Sequence, residues 1–171
     1  MKHLLILLAL TAAAAVAKPL APVHKIGMFD VVEQKHPKKL PGQNGDDVKC
    51  LAYSIYREAG NLDSNGQYAV GQVHINRVRE GTWGRHLCQV VFAKAQFSWT
   101  LEKRRVRWKE REELFYTMLA EDLINGTVKV NYITSTKVLH YYANYVHPKW
   151  AQQGTAVAMA GPHIFVRDVP H

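Results

Sequence analysis

Val48, Leu51, Ala52, Ile55 and Ala59 recur at the three- and four-residue spacing of an α-helix, and at 100° per residue they fall within a sector of about 100° centred on Val48. So narrow a stripe is not stable alone in water. Its apolar face must be covered by other elements, so the chain has to build a layered core around a helix. Asp46-Asp47 supplies an N-cap and first-turn negative charge, and Gly60-Asn61 supplies a stop. Ser64-Asn65-Gly66-Gln67 has capping-box spacing and opens a second helix through Ala69, Val70, Val73 and Arg77, expected to end near Gly81. A short amphipathic piece covers 87–92. A third helix runs from about Lys109 to Ile124, with Phe115, Met118, Leu119 and Leu123 at helical spacing and Asn125-Gly126 as its end. The aromatic-polar stretch Gln96-Phe97-Ser98-Trp99-Thr100 reads as a loop or a tight strand pair. Beyond it, 138–146 is rich in β-branched and aromatic residues and 155–166 is small and apolar around Gly161-Pro162, a pattern of short strands. At 171 residues and 47% hydrophobic composition, one domain with one sizeable core is expected.

The N-terminus has a separate reading. Lys2 and His3 precede an apolar run from Leu4 to Val16, and Ala15-Val16-Ala17 supplies the small residues of a cleavage site, so residues 1–17 read as a secretory signal. At 13 residues the run is shorter than the ~20 that a spanning helix needs, so no stable membrane anchor is expected after its removal. Residues 18–45, with four prolines and little apolar periodicity, read as an extended arm, which leaves 46–171 as the working domain.

The formal net charge is +8, and the signal carries only Lys2 of it, so the exported protein is strongly basic. Its partner is anionic; outside the cytoplasm, acidic envelope polymers fit that charge better than nucleic acid does. The run 103–107 is either a solvated basic face or a hold on such a polymer. Two cysteines, Cys50 and Cys88, are candidates for a disulfide in an exported chain, with two buried free thiols as the alternative.

On the first helix Glu58 lies about 20° from Leu51, at the edge of the buried stripe, while Arg57 points the other way. Partial desolvation and the negative end of a helix dipole both disfavour an ionised carboxylate, and a glutamate that keeps its proton is what general acid catalysis on a glycosidic oxygen requires. A solvated flank residue would occupy the same position, and spacing alone does not separate the two.

The residues add more than periodicity. Cys50-Leu-Ala-Tyr-Ser-Ile-Tyr-Arg-Glu-Ala, Gly66-Gln-Tyr-Ala-Val-Gly-Gln-Val-His-Ile-Asn-Arg-Val, Cys88-Gln-Val-Val-Phe, Gln96-Phe-Ser-Trp, His140-Tyr-Tyr-Ala, Val146-His-Pro-Lys-Trp-Ala and Gly161-Pro-His-Ile-Phe together resemble the SleB/CwlJ family of cell wall hydrolases, in the family's block order. The resemblance implies an α+β fold: a mainly helical, lysozyme- or lytic-transglycosylase-like single domain with a small β portion. It also implies peptidoglycan glycan cleavage with Glu58 at the catalytic position. Where the family continues Glu-Ala-Arg-Gly-Glu, this chain has Glu58-Ala59-Gly60-Asn61-Leu62, and Asp63 is the only nearby acid to replace the missing one.

A lytic transglycosylase can work with one carboxylate, so Glu58 is expected to act as acid and then as base on the MurNAc-GlcNAc linkage, without metal or other cofactor. Gln96, Ser98 and Trp99 are assigned to the glycan cleft, the first two as hydrogen-bonding groups and Trp99 as a flat apolar face. His140, Tyr142 and His163 are expected to line the same cleft or to bond Glu58, whereas Tyr145 and Trp150 read as packing. A monomer acting on glycan strands in the periplasm or envelope follows from this reading, with a phage lysis enzyme, a bacterial remodelling enzyme and a spore-cortex enzyme as the roles that suit it. Two rivals are a zinc-dependent wall amidase or peptidase using His140, His147 and His163, which lack HExxH-type spacing, and a wall-binding protein without activity.

Overall fold

The computed structural model describes residues 23–94, 96–102, 108–135 and 137–170. The signal segment and the basic run 103–107 lie outside these residues. Four helices, α1 (Gly45–Ala59), α2 (Ser64–Glu80), α3 (Leu87–Val91) and α4 (Glu110–Asn125), combine with six strands: β1 (His24–Lys25), β2 (Val31–Glu33), β3 (Val128–Val130), β4 (Val138–Ala143), β5 (Thr155–Ala160) and β6 (His163–Arg167). One sheet has the order β1-β5-β6-β4, antiparallel except for the β1–β5 pair; β2 and β3 form a separate antiparallel ribbon. This is the mainly helical α+β arrangement with a small β portion. Among the described residues no helix is long and apolar enough to cross a membrane.

The fold is organised around α2, which is buried at Gly66, Gln67 and every position from Ala69 to Val78. A helix covered on nearly all sides needs apolar partners on more than one face. On one side Ile75 joins Leu51 and Ile55 of α1, Leu87 of α3 and Leu119 and Leu123 of α4. On the other, Val70 and Val73 pack with Ile133, Ala158 and Phe165 beneath the four-stranded sheet. Gly71 lets the first group close: a Cβ there would lie 2.4 Å from Leu123 Cδ1 and 2.8 Å from Ile55 Cδ1.

Polar residues of α2 then fix where the strands sit. Asn76 Nδ2 donates to the carbonyls of Ile133 and Val138 at 2.8 and 3.0 Å, and Arg77 Nε donates to the Leu139 carbonyl at 2.7 Å. These bonds satisfy buried carbonyls around the start of β4 and pin that strand against the helix.

Several local details differ from the sequence reading. The N-cap of α1 is Asn44, whose side chain accepts from the N–H groups of Asp46 and Asp47, while Asp47 accepts in return from Asn44 N. The cap of α2 is Asp63, accepting from Gly66 N, in place of Ser64. On α4, Met118 is 57% exposed and Phe115 is also exposed, because the inward face is rotated toward Tyr116, Leu119, Ala120, Leu123 and Ile124. The stretch after Gln96 is a 3-10 turn, Ser98–Leu101. The described part of the N-terminal arm is integrated into the domain: His24 pairs with Ala158 in the sheet and Val31 with Val130 in the ribbon.

Cys50 and Cys88 form a disulfide with Cα atoms 5.2 Å apart, which decides against free thiols and ties α1 to α3. Beside it, the buried Asp47 accepts from Cys88 N and from His86 Nδ1, so a carboxylate of α1 caps the start of α3. Burial pushes the Asp47 carboxyl up, but its hydrogen bonds from Cys88, Asn44 and His86 prevail and hold it below the ordinary carboxylate range.

Candidate active site

Glu58 sits in the last turn of α1, half-buried, with both carboxylate oxygens occupied. Trp99 Nε1 donates to Oε1 at 2.5 Å and the Tyr141 hydroxyl donates to Oε2 at 3.0 Å. Its main-chain carbonyl, one of those left over at a helix end, accepts from His163 Nε2 at 3.1 Å. Because a carbonyl only accepts, His163 carries its proton on Nε2; its Nδ1 is buried without a partner among the described residues. Three segments far apart in sequence thus hold one glutamate by side chain and backbone.

A cleft of about 500 Å³ opens beside this carboxylate. Its walls include Gln96, Phe97 and Ser98 from one segment, Tyr141, Tyr142, Tyr145 and Val146 from β4 and the residues after it, and Glu58, Arg77 and His163. Glu58 is the only carboxylate among the described residues that line it. Burial pushes the Tyr141 hydroxyl well above its ordinary value and the neighbouring Glu58 charge pushes it the same way, so the phenol stays neutral.

The Arg77 guanidinium is buried against the rings of Trp83 and Phe97, 5.1 and 5.8 Å from their centroids, and its Nη1 has no hydrogen-bond partner among the described residues. Burial disfavours its charge, while Tyr141 and Glu58 favour it. A cation so placed attracts negative charge developing in the cleft.

Behind Glu58 the support is aromatic. His74, fully buried, stacks on Phe97 at 5.3 Å, and Phe97 stacks on Trp99 at 5.7 Å. His74 Nδ1 donates to the Val70 carbonyl, which leaves Nε2 to accept from the Ser54 hydroxyl at 2.9 Å. Arg57, held by two 2.9 Å bonds to Glu102, also lies over the Trp99 ring. The indole orientation, and with it the seat of Glu58 Oε1, is set by this stack.

The residues assigned from sequence fall into distinct places. Gln96, Ser98, Tyr142 and His163 line the cleft together with Glu58. Trp99 is only 7% exposed and presents its N–H to Glu58, so it is no open platform for a sugar ring. His140 lies outside the cleft lining, packed between Trp83 and Trp150. Tyr145, read as packing, is 76% exposed and on the cleft wall; Trp150 does pack, against His140 and Tyr142. Asp63, the candidate second acid, is taken up as the α2 cap. Tyr141 and Arg77 carry site geometry that the sequence did not single out. An aromatic midway between His140 and Tyr142 offers no local mark of which of the three faces Glu58, and Arg77 passes in sequence for a helix-end cation.

A family model described as Cell Wall Hydrolase matches residues 62–166, beginning four positions after Glu58. Among solved structures, the catalytic domain of the germination-specific lytic transglycosylase SleB from Bacillus anthracis is similar with a TM-score of 0.57 and 22% sequence identity, over 74% of this chain and 98% of that one. No curated protein matches the chain.

Proposed function

The chain belongs to the cell wall hydrolase family, and on that premise we propose that it cleaves the glycan strands of peptidoglycan as a lytic transglycosylase, with Glu58 as its single acid and base. One observation carries this reading: a lone carboxylate at the cleft, with two donors holding its two oxygens. The solved structure it resembles is that of a lytic transglycosylase, which agrees in reaction type.

The two donors differ in what they permit. An indole N–H only donates, so Oε1 accepts whether or not Glu58 is protonated. A phenol both donates and accepts, so Tyr141 can stay bonded to Oε2 in either state. The mobile proton therefore belongs to Oε2. In the first step it passes to the glycosidic oxygen as the C1–O bond of N-acetylmuramic acid breaks, and the GlcNAc end leaves with that proton. In the second, the sugar's own C6 hydroxyl bonds to C1 and gives its proton to Glu58, closing a 1,6-anhydro ring and restoring the acid. No second carboxylate or entering water is needed, unlike hydrolysis by paired acids. Arg77, close enough to Glu58 for mutual attraction, stabilises the carboxylate left between the two steps.

Gln96, Ser98, Tyr142, Tyr145 and His163 act on this reading as sugar-binding wall, and export to the envelope as a monomer fits an enzyme with that substrate. Mass spectrometry of digested peptidoglycan tests it: soluble fragments ending in 1,6-anhydro-N-acetylmuramic acid are expected. Reducing ends would indicate hydrolysis, free peptides an amidase, and sacculi bound without release a wall-binding protein.

A further inference from the structure

Away from the cleft, positive charge gathers around a second cavity, of about 320 Å³. Its basic and amide side chains come from three segments, Gln34, His36 and Lys38 from the strap after β2, Gln72 and Arg79 from α2, and Lys129 from β3, with Leu123 of α4 and Thr134 also in the lining. The strap is stitched down at both ends, Gln34 N donating to the Thr127 carbonyl and Leu40 N to the Ile124 carbonyl, each at 2.7 Å. Between the stitches it lies directly on the α4 stop. Gly126 has φ +70°, and a Cβ there would stand 2.4 Å from the Lys38 carbonyl oxygen, so a glycine is what lets His36 and Lys38 be held at this rim.

None of the described carboxylates lines this cavity, and Lys38, Arg79 and Lys129 enter no ion pair with a described carboxylate. Arg79 is an exposed side chain on this wall, and partial desolvation disfavours its charge. Three cations around one concavity repel one another, a cost that a bound anion would offset.

We propose that this cavity is a second binding site, for a phosphate group. A carboxylate brings one charge and two oxygens in a plane, which one guanidinium can satisfy. A phosphate brings up to two charges and oxygens pointing in divergent directions, which suits cations arriving from three separate segments. The site is independent of the cleft. At 100° per residue Gln72 and Arg79 lie about 140–160° around α2 from Arg77, so an occupied phosphate site leaves the glycan groove open. On a phosphate-bearing envelope polymer it would tether the enzyme; with free phosphate it would be an effector site.

Titration of the isotope-labelled protein, followed by amide and side-chain NMR shifts, tests this with three probes at matched ionic strength: inorganic phosphate, a glycerol phosphate oligomer and acetate. Saturable shifts at His36, Lys38, Arg79 and Lys129 are expected with both phosphate probes and not with acetate. The double variant Arg79→Gln/Lys129→Gln is expected to weaken phosphate binding at least tenfold while digesting phosphate-free peptidoglycan at the parent rate. Tighter binding of the oligomer identifies a polymer as the source, and equal affinity identifies free phosphate. Absence of saturation with either phosphate probe, equal saturation with acetate, or unchanged affinity in the variant overturns the site. Lys38→Gln, on the exposed strap, provides the same reading should the double variant fail to fold.

Discussion

Tyr141 donates its hydroxyl to Glu58 Oε2 over 3.0 Å, joining a strand and a helix end that lie 83 residues apart in the chain. Since the phenol can reverse from donor to acceptor, it keeps the glutamate in place through both halves of the proposed reaction. Tyr141→Phe retains the ring and removes only that bond. It is expected to lower kcat about 10- to 100-fold with little change in KM, and to cost about 0.5–1.5 kcal/mol of stability. Steady-state kinetics on solubilised glycan strands checks the split; an unchanged kcat would mean that Oε2 needs no partner.

Asp63 separates the one-carboxylate mechanism from a two-carboxylate one. It is the remaining acid near Glu58 in sequence, yet it caps α2 through Gly66 N at 2.9 Å. Asparagine caps about as well as aspartate, so Asp63→Asn should leave both lytic rate and stability close to the parent. A rate loss of a hundredfold at unchanged stability would restore Asp63 as a second catalytic acid.

His74 makes stability depend on pH. Burial is the main cause that lowers its pKa to about 3, with the nearby Arg77 charge acting the same way. Below about pH 6.5 the unfolded chain binds a proton at this ring that the folded protein refuses, so stability falls as pH falls, by up to about 1.4 kcal/mol per unit. Asp47 and Asp30, held low by their hydrogen bonds, act in the same direction, but their contributions are lost only as pH falls below about 4. Urea unfolding between pH 6.5 and 5 should therefore show a slope that His74→Gln flattens, even though that variant is less stable throughout. An equal slope in the variant would assign it to another group.

The Cys50–Cys88 bridge closes a sequence separation of 38 residues. Cys50→Ser/Cys88→Ser should lose about 3–4 kcal/mol, seen as a lower urea midpoint, and the oxidised parent should match the variant once reduced. A shift under 1 kcal/mol would show that Asp47 and its hydrogen bonds suffice to hold α3 on α1.

What the sequence revealed is what local chemistry controls. The stripe from Val48 to Ala59, the glycine stops at Gly81 and Gly126, and the short strands around Gly161-Pro162 announce their elements because each rule acts within a few residues. Glu58, Gln96, Ser98 and His163, far apart in the chain, line one cleft. What escaped is long-range. Which of His140, Tyr141 and Tyr142 reaches Glu58 depends on how β4 is set by Asn76 and Arg77 and on the register shift between Val138 and His140. An exposed and a buried indole look alike in sequence, so the sugar platform expected of Trp99 gives way only in the fold, where the ring is buried and its N–H donates to Glu58. The pairing of β1 with β5 joins segments more than a hundred residues apart, with too few residues in β1 for any pattern to announce it.

The account rests on one proton carried by Glu58, and the lytic rate of Glu58→Gln on purified peptidoglycan measures it most directly. The amide keeps the size of the side chain and can still accept from Trp99, so the fold should be retained, as thermal unfolding would verify. The predicted result is a folded protein whose rate has dropped by on the order of 10²–10⁴-fold and which releases no 1,6-anhydro products. A folded variant that lyses at the parent rate would contradict the assignment of Glu58 and the mechanism built on it.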